Sequence, residues 1–271
     1  MTTQSKGTAL ITGASSGIGA VYADRLAHRG YDLIIVARSR GKLDALATRL
    51  TNETKRSVEV LAADLNDKDD LARVEEALKK DASITFLLNN AGFGAFAPLL
   101  NSDIKKMEEM ISINVNALTR LTYAAVPGFA ARGTGTIVNI SSIVAISPET
   151  LNGVYGGSKA YVLAFSHSLQ HELASKGIRV QAVLPGATAT DFWDTAGLPV
   201  HNLPSAIVMT TENLVDAALS GLDQGELVTI PALPDKQEWD RFEAARRDMS
   251  TRLSSTTPAA RYGLNTFAKV S

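Results

Sequence analysis

The sequence predicts an α/β fold, doubly wound, with a seven-stranded parallel sheet flanked by helices. Three observations predict it. Seven short runs of apolar and β-branched residues recur at fairly even spacing along the 271 residues, and helical patterns lie between them. The first run passes directly into a glycine-rich turn. Runs that are apolar throughout suit strands buried on both faces of a parallel sheet. Alternation of strand and helix then implies right-handed crossovers that place helices on both sides of that sheet.

The runs are TALIT (8–12), YDLIIVA (31–37), VEVLAA (58–63), ITFLLN (84–89), TIVNI (136–140), RVQAVL (179–184) and ELVTI (226–230). After the first, a helical pattern continues to about Arg29. After the second, Leu43, Leu46, Ala47 and Leu50 keep the three- and four-residue spacing of one helix face. After the third, Asp67, Lys68, Asp69 and Asp70 read as a helix start with acids at the positive end of its dipole, followed by Leu71, Val74 and Leu78. Long helices are expected from near Ser102 and from near Tyr155, the latter to about Ser175. No linker, repeat or low-complexity segment interrupts the series, so 1–271 reads as a single Rossmann-type domain, its core about 5–232 and a helical extension about 235–271.

Two segments depart from the alternation. Residues 188–211 show no clear element, yet Phe192, Trp193, Val200, Ile207 and Met209 make them apolar for a loop. A segment of that kind reads as a functional lid. In the tail, Trp239, Phe242, Ala245 and Met249 would form one face of a helix, with mixed charge opposite. Mixed charge favours packing on the domain or on a second subunit over a membrane surface.

Composition narrows the function. With 27 Lys+Arg against 28 Asp+Glu, the net charge of −1 gives no electrostatic footprint for nucleic acid. The absence of cysteine removes disulfides, thiolate metal sites and a cysteine nucleophile, and fits a reducing compartment. No apolar run approaches the length that spans a bilayer, and the N-terminus does not read as a signal peptide. A cytoplasmic protein with no membrane partner is the expectation. His167 and His171 share a helix face at ligand spacing, but no third ligand accompanies them, so no metal site is assigned.

The turn after the first run is Gly13-Ala14-Ser15-Ser16-Gly17-Ile18-Gly19. Glycines there permit a tight turn, close backbone approach to a pyrophosphate and close helix–strand packing, and the following helix start offers its N–H groups to the phosphates. The end of the second run selects the dinucleotide. An acid there binds a ribose 2′-hydroxyl, whereas a basic residue accommodates a 2′-phosphate. Arg38 and Ser39 occupy that place with no acid beside them, which points to NADP rather than NAD.

Tyr155-Gly156-Gly157-Ser158-Lys159 puts a phenol and an ammonium on one helix face at i,i+4. A free phenol has a pKa of about 10, and an adjacent cation lowers it by stabilising phenolate. Ser142 lies thirteen residues earlier at the end of the fifth run, where open α/β sheets place their ligands.

With these motifs in order, the sequence resembles the short-chain dehydrogenase/reductase family over its first 230 or so residues. The matching motifs are TGASSGIG (12–19), Asp64-Leu65, NNAG (89–92), Asn114 in INVNAL, Ser142 in VNISS, YGGSK (155–159) and PGATAT (185–190). The resemblance implies that Tyr155 is the acid in carbonyl reduction and the base in alcohol oxidation. It implies that Lys159 lowers the phenol pKa and binds the nicotinamide ribose, that Ser142 polarises the substrate oxygen, and that Asn114 anchors a water in a proton relay. Asp64 with Leu65 would meet the adenine, and Asn90, Ala91 and Gly92 the adenosine ribose. Pro185, Gly186, Thr188 and Thr190 would hold the nicotinamide amide and the pyrophosphate. Asn116 is a nearby competitor for Asn114 at the wrong motif position. Glycines 156 and 157 depart from the commoner small residues there, which suggests either room for a bulky substrate or close backbone packing. The resemblance also suggests a homodimer or homotetramer built through the long helices.

Phe93, Gly94 and Phe96, the segment 143–154 with Ile143 and Val144, and the lid with Phe192 and Trp193 would bound the substrate pocket. These walls are largely apolar and favour a hydrophobic ketone, aldehyde or secondary alcohol. Two competing readings are a dinucleotide-binding sensor without turnover and a dehydratase or epimerase on the same fold. The first is disfavoured by the intact set Asn114, Ser142, Tyr155 and Lys159. For the cofactor, Arg38→Asp is expected to raise KM for NADPH far more than KM for NADH in steady-state kinetics; equal effects on both would remove Arg38 from the 2′-phosphate site.

Overall fold

A computed structural model describes residues 6–264 of the chain, in two compact units that meet at Ala232 and Leu233. The first unit contains the strands β1 (Thr8–Thr12), β2 (Asp32–Ala37), β3 (Val58–Ala62), β4 (Ile84–Asn89), β5 (Gly135–Ile140), β6 (Ile178–Val183) and β7 (Val228–Thr229). All pair in parallel, in the order β3-β2-β1-β4-β5-β6-β7. The chain moves outward from β1 in one direction as far as β3, then crosses back to β4 and continues the other way. The reversal lies between β1 and β4, and crossovers leaving on opposite faces open a crevice at the carboxyl ends of those strands.

Successive strand residues point to opposite faces, and the two cores follow from that alternation. On one face Ala9, Ile11, Ile35, Phe86 and Val183 pack under α1 (Gly17–His28), α2 (Arg40–Thr54) and α8 (Thr211–Asp223), through Tyr22, Leu43, Leu50 and Leu214. On the other, Leu10, Ile34, Leu87 and Ile137 meet α3 (Lys68–Lys80), α5 (Leu118–Arg132) and α6 (Gly153–Leu173), through Val74, Phe129 and Leu169. The acids at 67–70 do start a helix: the Asp67 carboxylate accepts the N–H groups of Asp69 and Asp70 and caps α3.

Strand boundaries differ from the sequence expectation by one or two residues. Three differences are larger. The helix expected from near Ser102 is α4 (Ile104–Ile111), then one π-helical stretch over Ser112–Ala117, then α5. The lid is not featureless: it holds α7 (Phe192–Ala196) and tight turns at Val200–Asn202 and Ser205–Ile207. In the second unit, α9 (Lys236–Ser250) forms, but its buried side chains are Trp239 and Glu243, while Phe242 and Met249 are about half exposed. The apolar face expected there is therefore replaced by one ring and one carboxylate, and Glu243 is neutralised by Arg246 and Arg247.

Phe86 sits in the central strand at 1% exposure, edge-on to Tyr31 at 5.7 Å. Phe86→Ala is expected to lower unfolding free energy by about 3–5 kcal/mol in urea titrations, since a cavity there has no mobile neighbour to fill it.

Candidate active site

The crevice begins with a clamp. The Thr12 hydroxyl accepts the N–H groups of Asn90 and Ala91, each at 3.0 Å, and donates to the Leu88 carbonyl at 3.1 Å. The Asn90 amide in turn donates to the carbonyls of Thr12 and Gly13, at 2.9 and 3.1 Å. A Cβ on Gly13 would stand 2.7 Å from that amide and 2.9 Å from Ala91 Cα, and Gly13 has φ +66° besides. Only glycine fits there. Gly19 is buried beneath the turn, where a Cβ would strike the Gly13 carbonyl. It packs α1 against the loop and does not face the cleft, unlike Gly13, Ser15, Ser16, Gly17 and Ile18.

Ser16 precedes α1 without capping it, so the first N–H groups of the helix point into the cleft without a side-chain partner. Thr190 leans over them, its methyl carbon 3.1 Å from where a Gly17 Cβ would be. A glycine cradle open to solvent above an uncapped helix start fits a pyrophosphate. The cleft, about 1550 Å³, runs on past Arg38, Ser39, Asp64 and Leu65 at one end. Arg38 is exposed and pairs with no carboxylate among the described residues, and Lys42 on the first turn of α2 joins it on the same wall. Lys42 and Asn66 are wall residues that sequence reasoning missed. For Lys42 the signal was there, a second cation four positions beyond Arg38.

At the other end, α6 brings Tyr155 and Lys159 one turn apart and both are buried. Ser142 lies within hydrogen-bonding reach of the Tyr155 phenol, and its hydroxyl donates to the Pro185 carbonyl at 3.4 Å. Lys159 Nζ donates to the Ile140 carbonyl at 2.9 Å and lies 5.8 Å from the centre of the Tyr155 ring. Asn114 sits in the π-helical stretch, a distortion that recurs at functional sites. Its amide donates to the Phe93 carbonyl at 3.0 Å and the Ser158 hydroxyl at 3.1 Å, and its carbonyl accepts the Phe93 N–H at 3.2 Å. Gly92 makes room for Asn114, since a Cβ there would meet Asn114 Oδ1 at 2.5 Å. Asn116 faces solvent and drops out as a competitor. Ser158, which joins Asn114 to the Tyr155 carbonyl, went unassigned in the sequence.

The ionisation of this pair corrects one expectation. Proximity to Lys159 was expected to lower the phenol pKa. Burial instead pushes it up to about 12, only partly offset by the Ser142 hydrogen bond. The same burial pushes Lys159 down to about 8. Taking each group out of water penalises its charged form, phenolate in the one case and ammonium in the other.

Phe93, Ile143, Val144, Phe192 and Trp193 all line the substrate end, as expected, and Pro185, Gly186 and Thr188 lie between the two ends. The lid is tied at its base by the Met209 N–H to the Ala187 carbonyl and the Ala189 N–H to the Met209 carbonyl, both 2.9 Å. The Trp193 indole donates to the Thr188 carbonyl at 2.8 Å. Leu151, from the expected segment 143–154, and Met107, which the sequence did not assign, add apolar surface, while Asp103, Lys106 and Glu109 give the rim mixed charge. Gly156 lies under Pro148, 3.3 Å from where its Cβ would be, which is close backbone packing; Gly157 is exposed with open space beside it, and neither lines the cleft. Among the described residues no cluster of three or more His, Asp or Glu could hold a metal, and no helix is long and apolar enough to cross a membrane.

Fold and site together define a dinucleotide-binding α/β protein. A family model described as short chain dehydrogenase matches residues 7–198, and the chain belongs to that family. It is similar to a short-chain dehydrogenase from Sphingobium yanoikuyae solved in complex with NADPH, at 48% identity, a TM-score of 0.92, and coverage of 94% of this chain and 99% of that one. It is also similar to a bulky-bulky ketone specific alcohol dehydrogenase from Comamonas testosteroni, at 44% identity and TM-score 0.88, covering 96% and 99%. A very-long-chain 3-oxoacyl-CoA reductase of Anas platyrhynchos is 37% identical over 186 residues, 67% of this chain. That match spans 60% of the relative's length.

Stability should carry the signature of the buried ammonium. Because Lys159 has a folded pKa near 8 against an ordinary 10.5, the unfolded chain holds more protons between those values. Its contribution to stability therefore rises with pH across that window and is lost as pH falls through 8. Urea unfolding of wild type and Lys159→Met should show a difference that climbs from about pH 8 to 10.5 and is flat below it; a flat difference throughout would mean that the ammonium is hydrated.

Proposed function

We propose that the protein is an NADP(H)-dependent oxidoreductase that interconverts a carbonyl and an alcohol, acting chiefly as a reductase of a hydrophobic ketone or aldehyde. One observation carries the reading: the Ser142–Tyr155 hydroxyl pair, with Lys159 and Asn114 behind it, stands at the end of a cleft whose other end is a glycine cradle. When bound there, the dinucleotide supplies or accepts the hydride. Ser142 holds and polarises the substrate oxygen, and Tyr155 delivers the proton to it. The neutral Tyr155 phenol carries the proton that reduction delivers to the substrate oxygen. Lys159 binds the nicotinamide ribose and charges the site, and Asn114 anchors the turn at Phe93 and a proton path to solvent.

Arg38 and Lys42, exposed beside the adenosine end, support a 2′-phosphate there. The bulky ketone named for the Comamonas protein and the NADPH of the Sphingobium complex support the same substrate class and cofactor here. The apolar walls Phe93, Ile143, Val144, Phe192 and Trp193 agree with that class. The reading takes the chain as one cytoplasmic dinucleotide-binding domain, with residues 235–271 as its appendage and with a homodimer or homotetramer as its working form.

The test is oxidation of NADPH and of NADH with a panel of bulky apolar ketones and aldehydes, sugars, and short charged acids. Turnover should favour NADPH with the apolar carbonyls. Tyr155→Phe should lower kcat by about 10²–10⁴-fold while NADPH binding is retained. Unchanged turnover in that variant, or activity on sugars or charged acids alone, would overturn the reading.

A further inference from the structure

Gly94 occupies a position where the backbone itself would accept a side chain. Its φ lies outside the left-handed region, so Ala is allowed by the chain. What forbids a side chain is Phe192. A Cβ on Gly94 would overlap Phe192 Cζ, lie 2.8 Å from Phe192 Cε2, and lie 3.3 Å from Tyr155 Cε2. The Phe192 ring thus fills the space that any other residue at 94 would claim, and it does so against the reacting phenol, with ring centres 5.6 Å apart.

The ring packs in an apolar cluster with Met107, Met110, Val144 and Tyr155. Helix α7, which carries it, has five residues. Two of the helix's polar ties are the Trp193 indole bond to Thr188 and the Phe96 N–H donated to the Ala196 carbonyl at 3.0 Å. Neither touches Phe192, whose remaining aromatic neighbour is Trp193, edge-on at 5.5 Å. The gap at Gly94 therefore bounds the place of the ring on one side. Phe192 is also a wall of the cleft beside Tyr155, so its place sets the space left for the carbonyl substituent on that side.

We propose that Gly94 is a positioning residue: by lacking a side chain it seats Phe192 against Tyr155, and this matched pair limits the size of one substituent of the ketone. A ring displaced by a methyl group at 94 intrudes on the substrate or tilts the phenol. A small residue at 192 removes the limit and makes the identity of residue 94 unimportant. The inference rests on Tyr155 as the proton donor to a carbonyl.

The experiment is a double-mutant cycle of Gly94→Ala, Phe192→Ala and the pair, assayed with NADPH and aryl ketones of increasing alkyl length. Gly94→Ala should lower kcat/KM by about tenfold or more in the wild-type background and by less than about twofold in the Phe192→Ala background, the non-additivity of groups in contact. Phe192→Ala alone should shift preference toward the longer ketones. Equal losses in both backgrounds, or no loss from Gly94→Ala, would overturn the proposal. Should Gly94→Ala fail to fold, the double variant should recover the fold; its failure as well would place the fault in the backbone and overturn the proposal.

A readout independent of turnover is Trp193 fluorescence in a Trp239→Phe background, these being the two tryptophans of the chain. Gly94→Ala should shift the emission, and the shift should vanish when Phe192 is Ala; no shift would count against the pair. If Tyr155→Phe kept full turnover while the fluorescence coupling held, the reading of the reaction would fail and the pairing would stand. If Tyr155→Phe were inactive and the coupling absent, the pairing alone would fail.

Discussion

The rest of the structure depends on how two neighbouring strands part at their carboxyl ends. β1 and β4 lie side by side, yet their chains leave for opposite faces of the sheet. Such a parting strands backbone N–H and C=O groups, which are costly if left unpaired. Thr12 and Asn90 resolve this with two side chains: one hydroxyl serves two N–H groups and a carbonyl, and one amide serves two carbonyls. Because the amide takes the space beside Gly13 and Gly19, neither position can carry a side chain. The bare backbone that results lets a phosphate approach the start of α1. Sheet order, glycine spacing and the phosphate cradle are one constraint seen at three scales.

The catalytic end is governed by a second balance, between burial and charge. Lys159 and Tyr155 share a helix face, but Lys159 gives its proton contact to the Ile140 carbonyl and sees the phenol only at ring distance. Dehydration then acts on both groups at once, raising the one and lowering the other. Burial keeps the phenol neutral beside the Ser142 hydroxyl. The π-helical stretch at Asn114 joins this end to the turn after β4 by bonding both the Phe93 backbone and Ser158.

Much of this was legible in the sequence because it repeats. Strands buried on both faces are apolar throughout, so their positions emerge to within a residue or two, and the glycine turn, Arg38 and Ser142 lie at their carboxyl ends. What was not legible is short-range geometry. The π-helical stretch adds a residue to a turn without changing the apolar spacing, so the run from 104 to 132 reads as ordinary helix. Helix α7 is too short to show a period. In α9 an ion-paired glutamate takes a buried place that spacing assigned to apolar residues.

The sequence by itself determined the order of the strands, the glycine turn, and the candidate set Ser142, Tyr155 and Lys159 that the fold brings to one cleft, since these rest on periodicity and on residue types at fixed spacing. Tertiary structure alone decided how those groups stand toward water and toward each other. It chose helix packing for Gly19 and close backbone packing for Gly156 from the roles the sequence left open, raised the Tyr155 pKa that a nearby cation was expected to lower, and matched Gly94 to a ring ninety-eight positions later in the chain. Burial and contact between distant segments are properties of the folded density around a side chain, and no local pattern encodes them.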